Sequence, residues 1–307
     1  VPFELRREGK VWLEYASTYY LLHTTREINF SQTFQQKSPV FRTLHSLNTL
    51  FDGSVINEAN PADFSFELYL INNDSSPIHQ HLPLDLLLGY NGNTLNTFNL
   101  YFVYSDYSPE IYYKVENCVF TNGTFNIPTR GLLSVSLSGQ GTKLTRTSGT
   151  FPGTDGGYNS NATVATSREV LVTVGADVLT NIYRVSLEVS NEINWTENNT
   201  LQKSLAVTDA SNTTFPEKFT LTGRKVSGSI EQYITDISTS FNNLQTWLEN
   251  TTVRIRAGDS ASNICLDVNM ADACSFTNRA TFGEVFTQSY DYRLMTSPPD
   301  LRDYFNY

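Results

Sequence analysis

His79 and His81 stand one residue apart, so a strand would bring both imidazoles to one side, the first requirement of a metal site. A third ligand is needed, and only Asp85 lies near. Pro77 and Pro83 flank the pair, which reads better as a surface loop. Gly139-Gln140-Gly141-Thr142-Lys143 has the glycines and the lysine of a phosphate loop but lacks its four-residue spacer. A turn at a strand end explains it better. Cys118 and Cys274 are nucleophiles in principle. Neither a GxSxG nor an HExxH pattern occurs. A carboxylate pair of the kind that cleaves glycosides is a spatial pairing that spacing does not reveal. The many acids read first as solvated surface. No catalytic, cofactor-binding or metal-binding residue is therefore assigned, and no cofactor is expected.

The cysteines have another meaning once their surroundings are compared. Cys118-Val119-Phe120-Thr121-Asn122 recurs as Cys274-Ser275-Phe276-Thr277-Asn278, 156 residues later. Glu27-Ile28-Asn29-Phe30 recurs as Glu192-Ile193-Asn194-Trp195, at a separation of 165. Pro61, Phe64 and Phe66 recur as Pro216, Phe219 and Leu221, at a separation of 155. The order is kept, and the separations differ by no more than loop insertions absorb. One domain-sized unit, duplicated and fused, accounts for all three, and it gives the two cysteines a packing role.

Composition agrees. A chain of 307 residues suggests about two domains, and an apolar fraction of 39% is that of a globular protein. Three cysteines without a CxxC spacing argue against both a disulfide framework and a zinc site, and point to a reducing compartment. The sequons at Asn122, Asn161, Asn194 and Asn250 are what so much Asn and Thr produces by composition. The first residues lack the apolar core of a signal peptide, and no run of 18 apolar residues exists, so no membrane insertion is predicted. The net charge of −10 is spread along the chain without a basic stripe, which disfavours stable binding to a nucleic-acid backbone.

The elements follow from side-chain period. Residues 10–30 are β-prone. Phe64, Phe66, Leu68 and Leu70 alternate with Asp63, Ser65, Glu67 and Tyr69, a half-buried strand. Pro83 opens a short helix over 84–88, stopped by Gly89. Runs at 98–104 and 110–120 are aromatic strands, and Leu133, Val135 and Leu137 alternate with serines. The stretch 147–168 holds four glycines and Pro152 among few bulky apolar residues, and reads as a linker or exposed loop. Three segments result: a first unit 1–146, the linker 147–168, and a second unit 169–307 with a C-terminal arm. The second repeats the plan, with strands around Val170 to Val174 and Val185 to Val189. Ile230, Tyr233, Ile234, Ile237, Phe241, Leu244 and Leu248 then fall at helical spacing and predict a helix over 229–250. Residues 31–50 and 192–206 are long polar excursions, candidate contact arms. Tyr304, Phe305 and Tyr307 predict a terminus that docks. The fold class expected is mainly β: two tandem sandwich- or barrel-like units, each with a flanking helix and a long inter-strand loop.

This order, with the passage Gly53-Ser54-Val55-Ile56-Asn57-Glu58-Ala59-Asn60-Pro61-Ala62-Asp63-Phe64-Ser65-Phe66 and its later counterpart Phe219-Thr220-Leu221-Thr222-Gly223-Arg224, resembles the tail tube proteins of tailed bacteriophages. The resemblance covers nearly the whole chain, and rests on pattern and short phrases. It implies rings stacked into a hollow tube that conducts the genome, with the inner sheets of neighbours joined around the channel. A fused duplicate implies trimers of pseudo-sixfold symmetry. The partners implied are other copies of the chain, a tape measure protein inside, a sheath if the tail contracts, and terminator and baseplate or tip proteins at the ends. DNA would pass without specific binding, in a virion tail assembled in the host cytoplasm.

Within this resemblance, Gln35, Gln36, Lys37, Pro39 and Arg42 are candidates for the ring-stacking loop. Glu14, Glu67, Glu188 and Asp267, on polar strand faces, are candidates for the lumen, where negative charge would keep DNA from sticking. An all-β tail adhesin or carbohydrate-binding tail component is the alternative, with aromatic residues as ligand surface. Trp12, Trp195 and Trp247 have no Trp counterparts in the other half, which weighs against it. A glycosidase of sandwich fold is a third reading.

Overall fold

Alternating apolar residues place strands along most of the chain, and the computed structural model describes them over residues 9–37, 55–72, 81–89, 94–104, 109–154, 163–195, 214–234, 251–260, 263–283, 285–295 and 300–307. The first half contains β1 (Gly9–Tyr15), β2 (Thr18–Leu22), β3 (Thr24–Ser31), β4 (Phe34–Lys37), β5 (Val55–Ala59), β6 (Ala62–Tyr69) and β7 (Ile71–Asn72). Helix α1 (Leu82–Leu88) follows, then β8 (Phe98–Tyr104), β9 (Ile111–Ile127), β10 (Ser134–Gly141) and β11 (Lys143–Ser148). The second half contains β12 (Thr163–Val164), β13 (Glu169–Val174), β14 (Asp177–Leu179), β15 (Ile182–Trp195) and β16 (Phe219–Tyr233). It closes with β17 (Thr251–Ser260), β18 (Asn263–Phe282), β19 (Phe286–Leu294), a 3₁₀ turn at Leu301–Tyr304 and β20 (Phe305–Asn306). The protein is mainly β, as its patterning predicts.

The pairing order is the same in both halves. In the first it runs β2-β1-β8-β9-β10-β6-β3, and in the second β14-β13-β17-β18-β19-β16-β15. Each begins with a two-residue hairpin turn, Ala16-Ser17 or Gly175-Ala176. Ala16, Ser17 and Gly175 have positive φ, the geometry that matches strand twist in tight hairpins. Two of the sequence repeats pair with each other in the same register. Ile28, Asn29 and Phe30 face Phe66, Ser65 and Phe64; Ile193, Asn194 and Trp195 face Leu221, Thr220 and Phe219.

The Cys-x-Phe-Thr-Asn repeat lies where a long strand passes from one partner set to another. Before Cys118, β9 pairs with β8 and β11; beyond it, with β10 and β15. Likewise β18 pairs with β17 over its first part and β19 over its second. Register shifts mark both crossings, at Ser138/Gly139 and at Ser275/Thr277. A bulge is the local means of bending a strand. Cys118 is fully buried there, its Sγ donating to the Val115 carbonyl oxygen at 3.2 Å, and burial pushes its thiol pKa up. A buried neutral thiol packs rather than reacts.

One core joins both halves, running from Val11, Phe64 and Phe120 through Phe125 and Leu187 to Val226, Leu266 and Tyr292. Helix α1 is where the sequence places it, with a proline in its first turn. It packs on β9 at Gly123, where a Cβ would come within 2.3 Å of Leu87 Cδ2. The C-terminal aromatic residues dock as expected. Phe305 is buried in β20 against β18, and Tyr307 Oη donates to Asp85 Oδ1 at 2.7 Å.

Three expectations need correction. The helix expected over 229–250 does not begin at Ser229: residues up to Tyr233 belong to β16, paired with β15 on one side and β19 on the other. Hydrogen bonding to two neighbours overrides the helical spacing; residues 235–250 lie outside the described residues. The polar excursion expected from Glu192 begins later, because β15 continues to Trp195; residues 196–213 lie outside the described residues. Within the stretch 147–168, residues 163–168 are built into the fold and are not loose. β12 pairs with β7, and Ala165 and Ser167 are buried. Small side chains allow the backbone of this segment to approach its partners closely enough to hydrogen-bond.

Candidate functional site

The feature that distinguishes this fold is the joint between its halves. Residues Val185 to Ser190 of β15 pair antiparallel with Ile127 to Asn122 of β9. The sheet therefore continues without a break through β3-β6-β10-β9-β15-β16-β19-β18. Phe64, Phe66, Val135, Leu137, Phe125, Val185, Leu187, Val189, Val226 and Ile230 face the core. The opposite face is polar because side chains alternate along every strand.

Cross-strand register arranges that polar face in rows. Asn29, Ser65, Ser138, Asn122, Ser190 and Lys225 form one row; Glu67, Ser136, Thr124, Glu188, Ser227 and Arg293 form the next; Ser134, Asn126, Ser186, Ser229 and Asp291 a third. The acids are held by amides of β9. Glu67 Oε1 accepts from Asn126 Nδ2 at 3.1 Å and from Ser134 Oγ at 2.5 Å. Glu188 Oε1 accepts from Asn122 Nδ2 at 2.5 Å. Hydrogen bonds to a charged acceptor are short and comparatively strong, so these carboxylates are anchored. The face is nonetheless mostly neutral hydroxyls and amides. Arg184, Lys225 and Arg293 offset part of its negative charge, and Arg184 Nη1 lies 3.6 Å from Glu231 Oε1.

The four lumen candidates thus divide. Glu67 and Glu188 lie in the same row of one continuous face. Glu14 lies elsewhere, on β1, where its Oε2 accepts from Tyr101 Oη at 2.6 Å and Asn99 Nδ2 at 2.9 Å. Burial, and then this carboxylate, raise the Tyr101 phenol pKa. Trp12, Tyr101 and Val103 are buried there beneath Tyr19, Tyr112 and Phe151. Asp267 lies on the first part of β18, in a two-pronged ion pair with Arg254, at 2.8 Å from Nε and 2.5 Å from Nη2.

Of the loop candidates, Gln35 is exposed on β4 and its Nε2 donates to Asn60 Oδ1 at 3.3 Å. Gln36 and Lys37 are in register with Ile56 and Val55 of β5. Pro39 and Arg42 lie outside the described residues, as does His79. His81 sits at the start of α1 with its ring centroid 5.3 Å from that of Tyr307. No group of three or more His, Cys, Asp or Glu able to hold a metal occurs among the described residues.

Sequence reasoning missed the lock behind the joint. Asn191 Nδ2 donates to the Leu87 and Phe120 carbonyl oxygens at 3.0 and 3.1 Å. Arg224 Nε donates to Asn191 Oδ1 at 2.8 Å, and its Nη2 to the Leu87 and Leu88 carbonyl oxygens at 3.0 and 2.6 Å. Burial lowers the Arg224 pKa to about 10. Two polar residues of the second half thereby cap a helix of the first, satisfying carbonyls that every helix end leaves open. No periodicity marks them; Arg224 merely follows Gly223 in a polar run.

Residues 1–305 match a family model described as the Bacteriophage Baseplate Tube Protein Family. No curated protein is significantly similar to the chain.

Proposed function

The chain belongs to the Bacteriophage Baseplate Tube Protein Family, and on that premise we propose that three copies close into a ring of pseudo-sixfold symmetry, part of the tube through which phage DNA leaves the virion. Membership makes it a structural component of the phage tail or baseplate. The trimeric ring is our own reading, and so is its origin in a duplicated tube unit.

One observation carries it. The joint inside the chain pairs β15 with the second part of β9, and two edges of the same kind remain. Among the described residues, β3, the counterpart of β15, pairs only with β6. Among the described residues too, the stretch Cys274 to Phe282 of β18, the counterpart of that part of β9, pairs only with β19. If β3 of one chain joined β18 of the next as β15 joins β9, three chains would make six joints and leave neither of these edges open. Exposed edges are a hazard in a free chain, and closure removes them. The polar face of Glu67, Glu188 and their mostly neutral neighbours would then line the channel, wet and without a basic stripe, its cations Arg184, Lys225 and Arg293 standing among the acids Glu67, Glu188, Glu231 and Asp291. Rings would stack through the stretch around Gln35, Gln36, Lys37, Pro39 and Arg42. The other partners are a tape measure protein within the channel and further tail proteins at its ends, assembled in the host cytoplasm.

Mass photometry at micromolar concentration tests the reading, followed by electron microscopy of the assembled protein. A trimer with a central channel is expected. A stable monomer would sink the proposal.

A further inference from the structure

The two halves treat one equivalent position differently. Aligned by strand register, in which Ser138 opposite Asn122 corresponds to Asp291 opposite Thr277, the β9–β10 turn matches the β18–β19 turn, and the pair Asn126/Ser134 matches Thr281/Thr287. Leu133 therefore corresponds to Phe286. Leu133 is 0% exposed, whereas Phe286 is 46% and Val285, the residue before it, 58% exposed.

The difference has a visible cause. Residues 163–168 lie over the first turn. Leu133 N donates to the Ala165 carbonyl oxygen and Ala165 N to that of Leu70, at 2.9 and 2.8 Å. Ser167 N donates to the Gly131 carbonyl oxygen at 2.9 Å, and Ser167 Oγ donates to that of Pro128. This covering segment immediately precedes β13, the first strand of the second half. Its counterpart is the segment immediately preceding β1. Leu5 stands six residues before Val11, as Val164 stands six before Val170.

We propose that the residues just before β1 of one chain cross to the second half of a neighbouring copy and cover Val285 and Phe286 there, as residues 163–168 cover Leu133 within the chain. This rests on the ring reading above, in which the first half of each chain stands beside the second half of another. The occupant follows from that arrangement, since the internal joint already places the segment before β13 on the preceding unit. Burying two large apolar side chains would add affinity at each joint. It would also give the ring a direction, because each segment reaches only the neighbour on one side.

Disulfide trapping between differently tagged chains tests this. One population carries Leu5→Cys, the other Val285→Cys, and a control carries Val178→Cys, a residue just as exposed but on β14. Oligomeric state is measured on the same samples. A trimer that yields the mixed-tag covalent dimer with Val285→Cys, and several-fold less with Val178→Cys, supports the inference. A trimer with no such dimer, or with equal yields, overturns it while leaving the ring intact. A monomer overturns the ring reading, and this inference with it.

Discussion

Arg224 Nη2 donates to the carbonyl oxygen of Leu88 at 2.6 Å, so a strand of the second half closes the end of a helix in the first. The same guanidinium holds Asn191, which itself reaches Leu87 and Phe120. The joint between β9 and β15 is thus secured on both faces, by hydroxyls and amides outside and by this buried lock inside.

Arg224→Met should therefore weaken the fold by roughly 2–4 kcal/mol, because it strands buried carbonyls and the Asn191 side chain without partners. Lysine should restore little, since its single ammonium cannot reproduce a planar fork that serves three acceptors. Urea denaturation of the wild type and both variants checks this. Equal midpoints would remove the lock from the account.

Gly228 on β16 is a position of close approach. A Cβ there would fall 2.0 Å from the Ser186 carbonyl oxygen and 2.4 Å from Tyr292 Oη, which itself donates to that oxygen at 2.8 Å. Gly228→Ala should cost about 1–3 kcal/mol or more by forcing β15 and β16 apart. Gly283→Ala, whose new methyl would have its nearest neighbour at 4.0 Å, should change stability by no more than about 0.5 kcal/mol. Thermal unfolding of the pair separates a packing constraint from a general intolerance of substitution.

Burial lowers the pKa of His81 below its ordinary 6.5, with Asp85 opposing the shift. The unfolded chain therefore takes up the proton first as pH falls. Between 6.5 and the lower folded value it binds more protons than the native state, so stability rises with pH there and is lost on acidification through that window. His81→Gln should flatten the dependence. Chemical denaturation at pH values from 5 to 8 would show it, and an unchanged slope in the variant would assign the titration to another group.

Glu67→Gln and Glu188→Gln should leave the fold intact, because the amide oxygen can still accept from Asn126 and Asn122. The double Lys substitution should slow DNA release from virions carrying it, if this face lines the channel, because added cations bind phosphate. Release timed by dye fluorescence supplies the measurement. Wild-type rates in correctly assembled virions would place the face outside the channel.

Much of this was legible in the chain. Alternation placed β6, β10 and the first part of β15, because one buried face imposes a period of two wherever a strand is half solvated. The recurring Glu-Ile-Asn and Phe-x-Phe phrases carried more than alignment, for they turned out to face each other across the sheet in both halves. Pro83 and Gly89 bracketed α1 from local chemistry alone. The site was less legible. Glu67, Glu188, Glu14 and Asp267 look alike along the chain, each an acid between core residues. Only the strand order reveals that the first two share a face, while Glu14 belongs to an aromatic cluster and Asp267 to an ion pair.

What the sequence determined, then, was each strand's buried face and the recurrence of three short phrases, both properties of neighbours along the chain. Which strand lies beside which was decided in three dimensions. β15 reaches β9 across more than fifty residues, and the helical spacing that begins at Ile230 gives way because β15 and β19 hydrogen-bond that backbone from both sides. Backbone hydrogen bonds carry no side-chain signature, so the joint that makes one sheet of two halves could be seen only once the chain had folded.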